Sequence, residues 1–121
     1  MKKFIAFFEI PSVDFRRAVD FYETVLDVQL PVFECEEEKM ACFTEEGETA
    51  GAIFYAPDYL PSEEGVIISF NCEDITLTLD KVLQKGGKIV MPKTKIEVEG
   101  RGWFALFTDS EGNRVGLYAD R

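Results

Sequence analysis

The stretch that decides the fold runs from Phe107 to Tyr118 and reads Phe-Thr-Asp-Ser-Glu-Gly-Asn-Arg-Val-Gly-Leu-Tyr. An apolar run enters a polar Asp-Ser-Glu-Gly-Asn turn, and a second apolar run leaves it. Gly112 and Asn113 tolerate a positive φ angle, so the turn is suited to join two antiparallel strands. The stretch therefore predicts a β-hairpin.

A pattern of one strand, one helix and three strands occurs twice along the sequence. Asp14 and Asp74, sixty positions apart, each follow an apolar strand and precede apolar residues at helical spacing. They are predicted to cap two helices, the second ending at Gly86-Gly87. The strands are predicted near 3–10, 28–34, 38–44, 50–56, 66–72, 87–92, 102–108 and 114–119, with a charged loop at 93–101.

The repeat predicts one α+β domain over residues 1–121, built from two tandem βαβββ units. The first unit covers roughly 1–56 and the second 65–119, and the linker at 57–64 contains two prolines. One helix covers only one face of a four-stranded sheet. Pairing of the units is therefore expected to curl the mixed sheet into a trough, where a ligand would bind.

The composition excludes several classes of partner. The chain has 121 residues with 23 acidic and 13 basic side chains, which gives a net charge of −10. This charge argues against nucleic acid and anionic membranes, and it is compatible with a cationic ligand or simply with an acidic surface. Three cysteines without zinc-site spacing are expected to be reduced, mostly buried residues. With no secretory signal and no spanning segment, a cytoplasmic protein is expected.

Residues in both halves resemble the vicinal oxygen chelate superfamily, which contains glyoxalases, ring-cleaving dioxygenases and bleomycin-resistance proteins. The likeness is carried by 8–14 with 18–26, by 86–94, by 102–107 and by 109–117. The later segments resemble the small single-domain glyoxalase/bleomycin-resistance-like proteins. The resemblance implies the glyoxalase/bleomycin-resistance-like fold and a homodimer whose ligand crevices are built from both subunits.

Enzymes of this superfamily usually hold a metal through His and Glu, and this sequence contains no His. By the resemblance, the ligand positions fall at Phe7, Ile67, Gly116 and near Ile53. None of these side chains can bind a divalent ion. A metal-dependent glyoxalase or dioxygenase is therefore not expected, and neither a metal nor another cofactor is predicted.

Strand alternation predicts which side chains share the trough with those positions. Glu9 follows Phe7 by two residues, and the other predicted neighbours lie beside Ile53, Ile67 and Gly116. The predicted ligand-binding residues are Phe7, Tyr55, Ser69, Asn71, Trp103, Arg114 and Tyr118. Trp103 is a candidate for stacking on a flat or cationic ligand, with core or dimer-interface packing as the alternative.

Glu9 is the candidate catalytic residue. A carboxylate within a Phe-rich strand is expected to be at least partly shielded from water, which would raise its pKa and suit it to act as a general base. A Glu paired with Arg or Lys that only seats the two units is the alternative.

The sequence leads to three hypotheses. The first is a metal-free protein that binds a small organic ligand in the trough, with a cationic ligand compatible with the acidic charge. The second is a cofactor-free isomerase, epimerase or lyase with Glu9 as general base. The third is a structural or regulatory domain whose trough is filled by Phe7, Phe43 and Phe107.

Overall fold

A computed structural model describes residues 4–121 of the protein. The elements in this range are β1 (Phe8–Pro11), α1 (Phe15–Leu26), β2 (Val32–Cys35), β3 (Glu38–Glu45), β4 (Glu48–Tyr55), β5 (Ser69–Asn71), α2 (Ile75–Gln84), β6 (Lys88–Lys95), β7 (Trp103–Thr108) and β8 (Arg114–Ala119). Neither helix of this range is long and apolar enough to cross a membrane.

The two predicted βαβββ units are present, and each forms its own four-stranded mixed sheet. Sheet A has the strand order β1-β4-β3-β2, and sheet B has the order β5-β8-β7-β6. The first strand of each unit runs parallel to the last, and the other pairs are antiparallel. The α+β fold class is therefore confirmed, and β1 and β5 each have one edge without a strand neighbour among residues 4–121.

Three predicted boundaries differ from the structure. The opening strand starts at Phe8, which pairs with Gly51, and the predicted start at residue 3 lies outside the described residues. Strand β5 covers only 69–71. Strand β6 continues to Lys95, which pairs with Trp103, so the beginning of the predicted 93–101 loop is part of the sheet.

Both helices begin where the sequence predicts. Asp14 accepts a hydrogen bond from the backbone N–H of Arg17 at 3.1 Å, and Asp74 accepts one from that of Leu77 at 3.0 Å. A carboxylate at this position satisfies an N–H group that has no partner within the helix. The buried residues of α1 recur every three or four positions: Phe15, Ala18, Phe21, Tyr22 and Val25.

A single hydrophobic core joins the two units. The ring of Tyr22 on α1 lies 5.9 Å from that of Phe43 in sheet A and 5.9 Å from that of Phe70 in sheet B. Phe8 also contacts Phe70, with ring centroids 5.9 Å apart. On the neighbouring strand, a Cβ at Gly51 would lie 2.5 Å from the Phe8 ring, so the glycine provides the space for that ring. We call the sheet faces that meet this core the inner faces and the opposite ones the outer faces.

The turn between β7 and β8 connects the second unit to helix α1 of the first. The carboxylate of Asp109 accepts a hydrogen bond from the hydroxyl of Tyr22 at 2.5 Å, and it accepts the backbone N–H groups of Glu111 and Asn113 at 2.8 and 3.0 Å. The side chain of Asn113 donates to the carbonyl of Pro11 at 2.8 Å. Burial, together with the neighbouring charge of Asp109, raises the pKa of Tyr22 well above 10, so the phenol stays protonated as a donor.

Glu111 extends the same connection to the start of α1. Its carboxylate accepts the backbone N–H groups of Val13 and Asp14 at 2.9 and 2.7 Å, the Nε–H of Arg17 at 2.7 Å and the hydroxyl of Ser110 at 2.9 Å. Burial alone would raise the pKa of Glu111, but these donors, led by the Arg17 guanidinium, hold it below its ordinary value. The charged form of Glu111 therefore stabilises the folded protein.

We predict that Glu111→Gln lowers the free energy of unfolding by about 2 kcal/mol at pH 7, since it weakens hydrogen bonds to a charged group. Because folding lowers the pKa of Glu111, its contribution is complete above the ordinary value of 4.5 and is lost as the pH falls through the lower folded-state value. The difference between wild type and variant should therefore shrink below pH 4.5.

Urea unfolding at pH 7 and at pH 3 measures this difference. The matched control is Glu97→Gln, because Glu97 is exposed and its side chain makes no hydrogen bond or ion pair within residues 4–121. Equal stabilities of wild type and Glu111→Gln at pH 7 would contradict the assigned role of Glu111.

Candidate functional site

The strand register shows which predicted residues reach the outer faces. In sheet A, Glu9 lies beside Ala52, opposite in orientation to the inner-facing Ile10 and Ile53. In sheet B, Ser69 lies beside Gly116 and Asn71 beside Tyr118, whereas Leu117 faces the core. The outer-facing predicted residues are therefore Glu9, Ser69, Asn71, Arg114 and Tyr118, and Phe7 precedes β1 with 59% of its surface exposed.

Tyr55 is a correction to the predicted site. It shares the parity of Ile53, which is fully buried in the core, and its partly buried ring packs against that core. Both residues therefore lie on the inner face, opposite Glu9. The predicted positions in β4 are displaced by one residue from those that share the face of Glu9. A displacement of one residue moves every side chain of a strand to the other face of the sheet.

Trp103 is the second correction. It pairs with Ala119, shares the inner face and packs against the core. The Nζ atoms of Lys93 and Lys95 lie 4.9 and 5.2 Å from the centroid of its ring. Because the ring packs against the core and two lysines lie over it, the core-packing alternative describes Trp103 better than ligand stacking.

Two of the outer-facing predicted residues, Glu9 and Arg114, line the same cavity. Glu9 and Arg114 line a cavity of about 220 Å³ between the free edge of β1, the 60–68 segment and the start of β8; we call it the Glu9–Arg114 cleft. Its other lining residues are Ile10, Pro11, Leu60, Ser62, Gly65, Val66, Ile68, Asn113 and Val115. This is an apolar cleft with one carboxylate and one guanidinium.

Arg114 is distinctive within this cleft. Its Nε atom is buried and has no hydrogen-bond partner among residues 4–121. The backbone N–H of Arg114 donates to the carbonyl of Ser62 at 3.4 Å, and the backbone N–H of Ser62 donates to the side-chain oxygen of Asn113 at 3.2 Å. The turn that anchors α1 therefore also positions the cleft.

Glu9 is exposed in the single chain, so the expected shielding from water is not found. The reason is its place on β1, an edge strand whose free side has no strand neighbour among the described residues. The alternative, a pair of Glu9 with Arg or Lys, is not found among residues 4–121, where no such nitrogen lies within 4.0 Å of the Glu9 carboxylate.

The remaining predicted residues lie apart from this cleft. Ser69 and Asn71 line a larger cavity of about 530 Å³ beside β5, together with the rings of Phe8, Phe43 and Phe70. Tyr118 lies beside Asn71, at the end of β8 opposite Arg114. Its hydroxyl accepts a hydrogen bond from the backbone N–H of Gly102 at 3.1 Å and donates one to Asp120 at 3.2 Å. The structure thus brings together only part of the predicted set.

Two phenylalanines of the third hypothesis do not fill the outer side. Phe43 and Phe107 are 8% and 0% exposed and belong to the inner core. Phe7 is exposed and does not line the Glu9–Arg114 cleft. The structure therefore gives no support to a domain closed by these three rings.

The cysteines show no sign of nucleophilic activation. Cys35 is exposed, which corrects the expectation that the three are mostly buried, while Cys42 is buried and Cys72 is partly buried. Burial raises the pKa of the Cys42 and Cys72 thiols, and a thiol with a raised pKa is a poorer nucleophile at neutral pH.

The residues at the family's metal-ligand positions do not fit a metal ion. Phe7 and Ile67 are exposed apolar side chains, and Ile53 faces the core. At Gly116, an added Cβ would collide with the hydroxyl of Ser69. Within residues 4–121 no three His, Cys, Asp or Glu side chains are grouped closely enough to hold a metal ion.

Sequence reasoning missed the contribution of the 60–68 segment to the cleft. It interpreted 57–64 as a linker, because two prolines and a lack of periodicity carry no sign of a binding role. Tyr59, in the same segment, packs edge-on against Phe54 with ring centroids 5.2 Å apart. This contact shows that the segment folds back onto sheet A.

Comparisons with known proteins agree with this architecture. The family model described as the Glyoxalase/Bleomycin resistance protein/Dioxygenase superfamily matches residues 4–117. A comparison with curated protein sequences found no match. A glyoxylase/bleomycin resistance protein/dioxygenase domain from Frankia sp. EAN1pec is 16% identical, with a TM-score of 0.74 and coverage of 100% of both chains.

Two further solved structures are similar. The fosfomycin resistance protein FosX from Listeria monocytogenes is 16% identical, with a TM-score of 0.73 and coverage of 100% of this chain and 96% of that one. A glyoxalase I mutant from Zea mays is 19% identical, with a TM-score of 0.74 and coverage of 93% of this chain and 45% of the maize chain. The chain thus spans less than half the length of the maize protein, and identities this low show the fold alone.

We predict that the purified, tag-free protein contains well under one equivalent of zinc, iron, nickel or manganese, because the residues at the family positions offer no donor atoms. Elemental analysis measures the metal content. Incubation with EDTA should also leave the melting temperature unchanged. The prediction would be contradicted if the protein contained one equivalent of a metal ion and if its removal by EDTA lowered the melting temperature.

Proposed function

We propose that this chain, which belongs to the Glyoxalase/Bleomycin resistance protein/Dioxygenase superfamily, is a binding protein that holds a small organic ligand without a metal. The site is the Glu9–Arg114 cleft. The observation that carries the proposal is the meeting of one carboxylate and one guanidinium on apolar walls at the outer side of the sheets. Apolar walls with few polar groups are typical of small-molecule sites.

The charge of the protein supports a ligand with a cationic group. The net charge of −10 attracts cations, and Glu9 carries the negative charge nearest to the ligand within the cleft. The enzyme hypothesis with Glu9 as general base is the second candidate, and the expected shielding of Glu9 from water is not present in the single chain.

A thermal-shift panel with cleft variants tests the proposal. The panel contains cationic, neutral and anionic organic compounds of about ten non-hydrogen atoms, a size suited to a cleft below the usual range of ligand pockets. A compound at 100 times its Kd should stabilise the wild type by about 2.7 kcal/mol, which raises Tm by several degrees.

Gly65→Trp is expected to abolish this stabilisation. Gly65 lines the cleft, and a Cβ there meets no atom within 4 Å, so a large side chain fits without displacing the backbone and is expected to take up space in the cleft. Gly65→Ala, which adds one methyl group, is the control and should respond like the wild type. A panel in which no compound stabilises the wild type, or in which Gly65→Trp responds equally, would contradict the proposal.

A homodimer is the second part of the proposal. The free edges of β1 and β5 are accompanied by exposed apolar side chains, with Phe7 at 59%, Val66 at 92% and Ile67 at 44% exposure. Unpaired strand edges and contiguous apolar surface favour association. A two-fold contact between these exposed apolar side chains of two chains would cover this surface.

We expect sedimentation velocity at micromolar concentration to give a species of twice the 13.8 kDa chain mass. Phe7→Glu should shift the protein toward the monomer, because it places a charge beside the free edge of β1. The control is Phe33→Glu, since Phe33 is similarly exposed at 62% but lies on β2 at the far edge of sheet A. A monomeric wild type, or equal effects of the two variants, would contradict this dimer.

A further inference from the structure

Arg114 carries a side-chain donor that has no hydrogen-bond partner among residues 4–121. Its Nε atom is the only buried side-chain nitrogen or oxygen without a hydrogen-bond partner in the part of the chain that the structure describes. Buried polar groups in folded proteins are nearly always paired, so each exception needs a physical explanation. At the edge of a cavity, the simplest explanation is an acceptor that enters with a ligand.

The other arginines near the β7–β8 turn and α1 show the contrast. Arg17 uses its Nε and Nη2 atoms on the carboxylate of Glu111 at 2.7 and 3.1 Å. Arg16 lies 3.8 Å from the carboxylate of Glu34. Arg114 has a carboxylate, Glu9, in the same cleft, yet no N–O distance between them falls within 4.0 Å. Among residues 4–121, the Nε–H of Arg114 therefore has no acceptor.

We propose that the ligand of the Glu9–Arg114 cleft carries an oxyanionic group, a carboxylate or a phosphonate, that accepts the Nε–H of Arg114. This inference rests on the proposed function and specifies the ligand class. A guanidinium presents parallel N–H donors that match two oxygens of a carboxylate or phosphonate, and such charge-assisted bonds are shorter and stronger than neutral ones.

The surroundings of Arg114 limit the rest of the ligand. The walls formed by Leu60, Val66, Ile68 and Val115 are apolar, so the body of the ligand is apolar. The charge of Glu9 disfavours a second negative group, and it favours a donor or cation at the opposite end. A volume of about 220 Å³ equals that of roughly seven waters, which admits a single ring or a short branched chain with its charged groups.

The Nε–H signals of arginine in a ¹H–¹⁵N NMR spectrum test the inference on the wild-type protein. The probes are benzoate and phenylphosphonate, with neutral benzamide and cationic benzylamine as matched compounds. We expect benzoate or phenylphosphonate to move the Hε resonance of Arg114 downfield and benzamide to leave it in place. The internal controls are Arg17, whose Nε is already bonded, and Arg16, whose side chain is 77% exposed.

Variants give the second measurement. The affinity for the effective anion should fall at least tenfold in Arg114→Met and also in Arg114→Lys, because lysine keeps the charge but loses the planar pair of donors. Comparing the affinities of the wild-type protein for benzoate and phenylphosphonate identifies which oxyanion the site prefers. If Arg114→Met does not fold, the wild-type spectra alone still decide the question.

Three results would overturn the inference. In the first, only benzylamine binds, its binding is lost in Glu9→Gln, and the Hε resonance of Arg114 does not move. The proposed function would then hold, but the ligand would not bind Arg114 through an oxyanion. Equal shifts at Arg16 and Arg114 would show nonspecific attraction to surface cations. No response of Arg114 to either anion would also refute it, while the Gly65→Trp panel decides separately whether the cleft binds ligands.

Discussion

The carboxylates of the β7–β8 turn are the constraint on which the arrangement of the two units depends. Glu111 binds the start of α1 and the Arg17 side chain, and Asp109 binds the hydroxyl of Tyr22 near the middle of α1. Both contacts link residues more than eighty positions apart. Charged hydrogen bonds to these two carboxylates have directional donors, so helix α1 of the first unit is held in a defined position against sheet B.

This position determines where chemistry can occur. Because α1 and α2 share one core with the inner faces of both sheets, the aromatic rings of the chain are largely used for packing. Function is left to the outer faces and to the free edges of β1 and β5. The Glu9–Arg114 cleft lies where these meet, and Asn113 of the same turn bonds to Pro11 on one side and to Ser62 on the other.

The repeat, both helix caps and the β7–β8 turn could be predicted from sequence because each depends on local chemistry. An aspartate before a helical pattern and a glycine with positive φ act within a few residues. The site was harder to predict. Assigning Tyr55 required the register of β4 to a single residue, and the resemblance placed it one residue off. The exposure of Glu9 depends on β1 being an edge, which strand alternation does not reveal.

The family position at Gly116 shows how the site differs from a metal centre. In metal-using relatives this position is expected to supply a carboxylate, whereas here the hydroxyl of Ser69 occupies the space that a Cβ would need. Two residues earlier on the same face of β8, Arg114 supplies a positive charge and a buried Nε donor that has no partner within residues 4–121. A metal ion and a guanidinium both attract oxygen ligands, but the guanidinium binds through directed N–H groups and gives no Lewis acid. Under the proposed function, the same face of the fold would hold an oxyanion through N–H groups where metal-using relatives would use a metal ion.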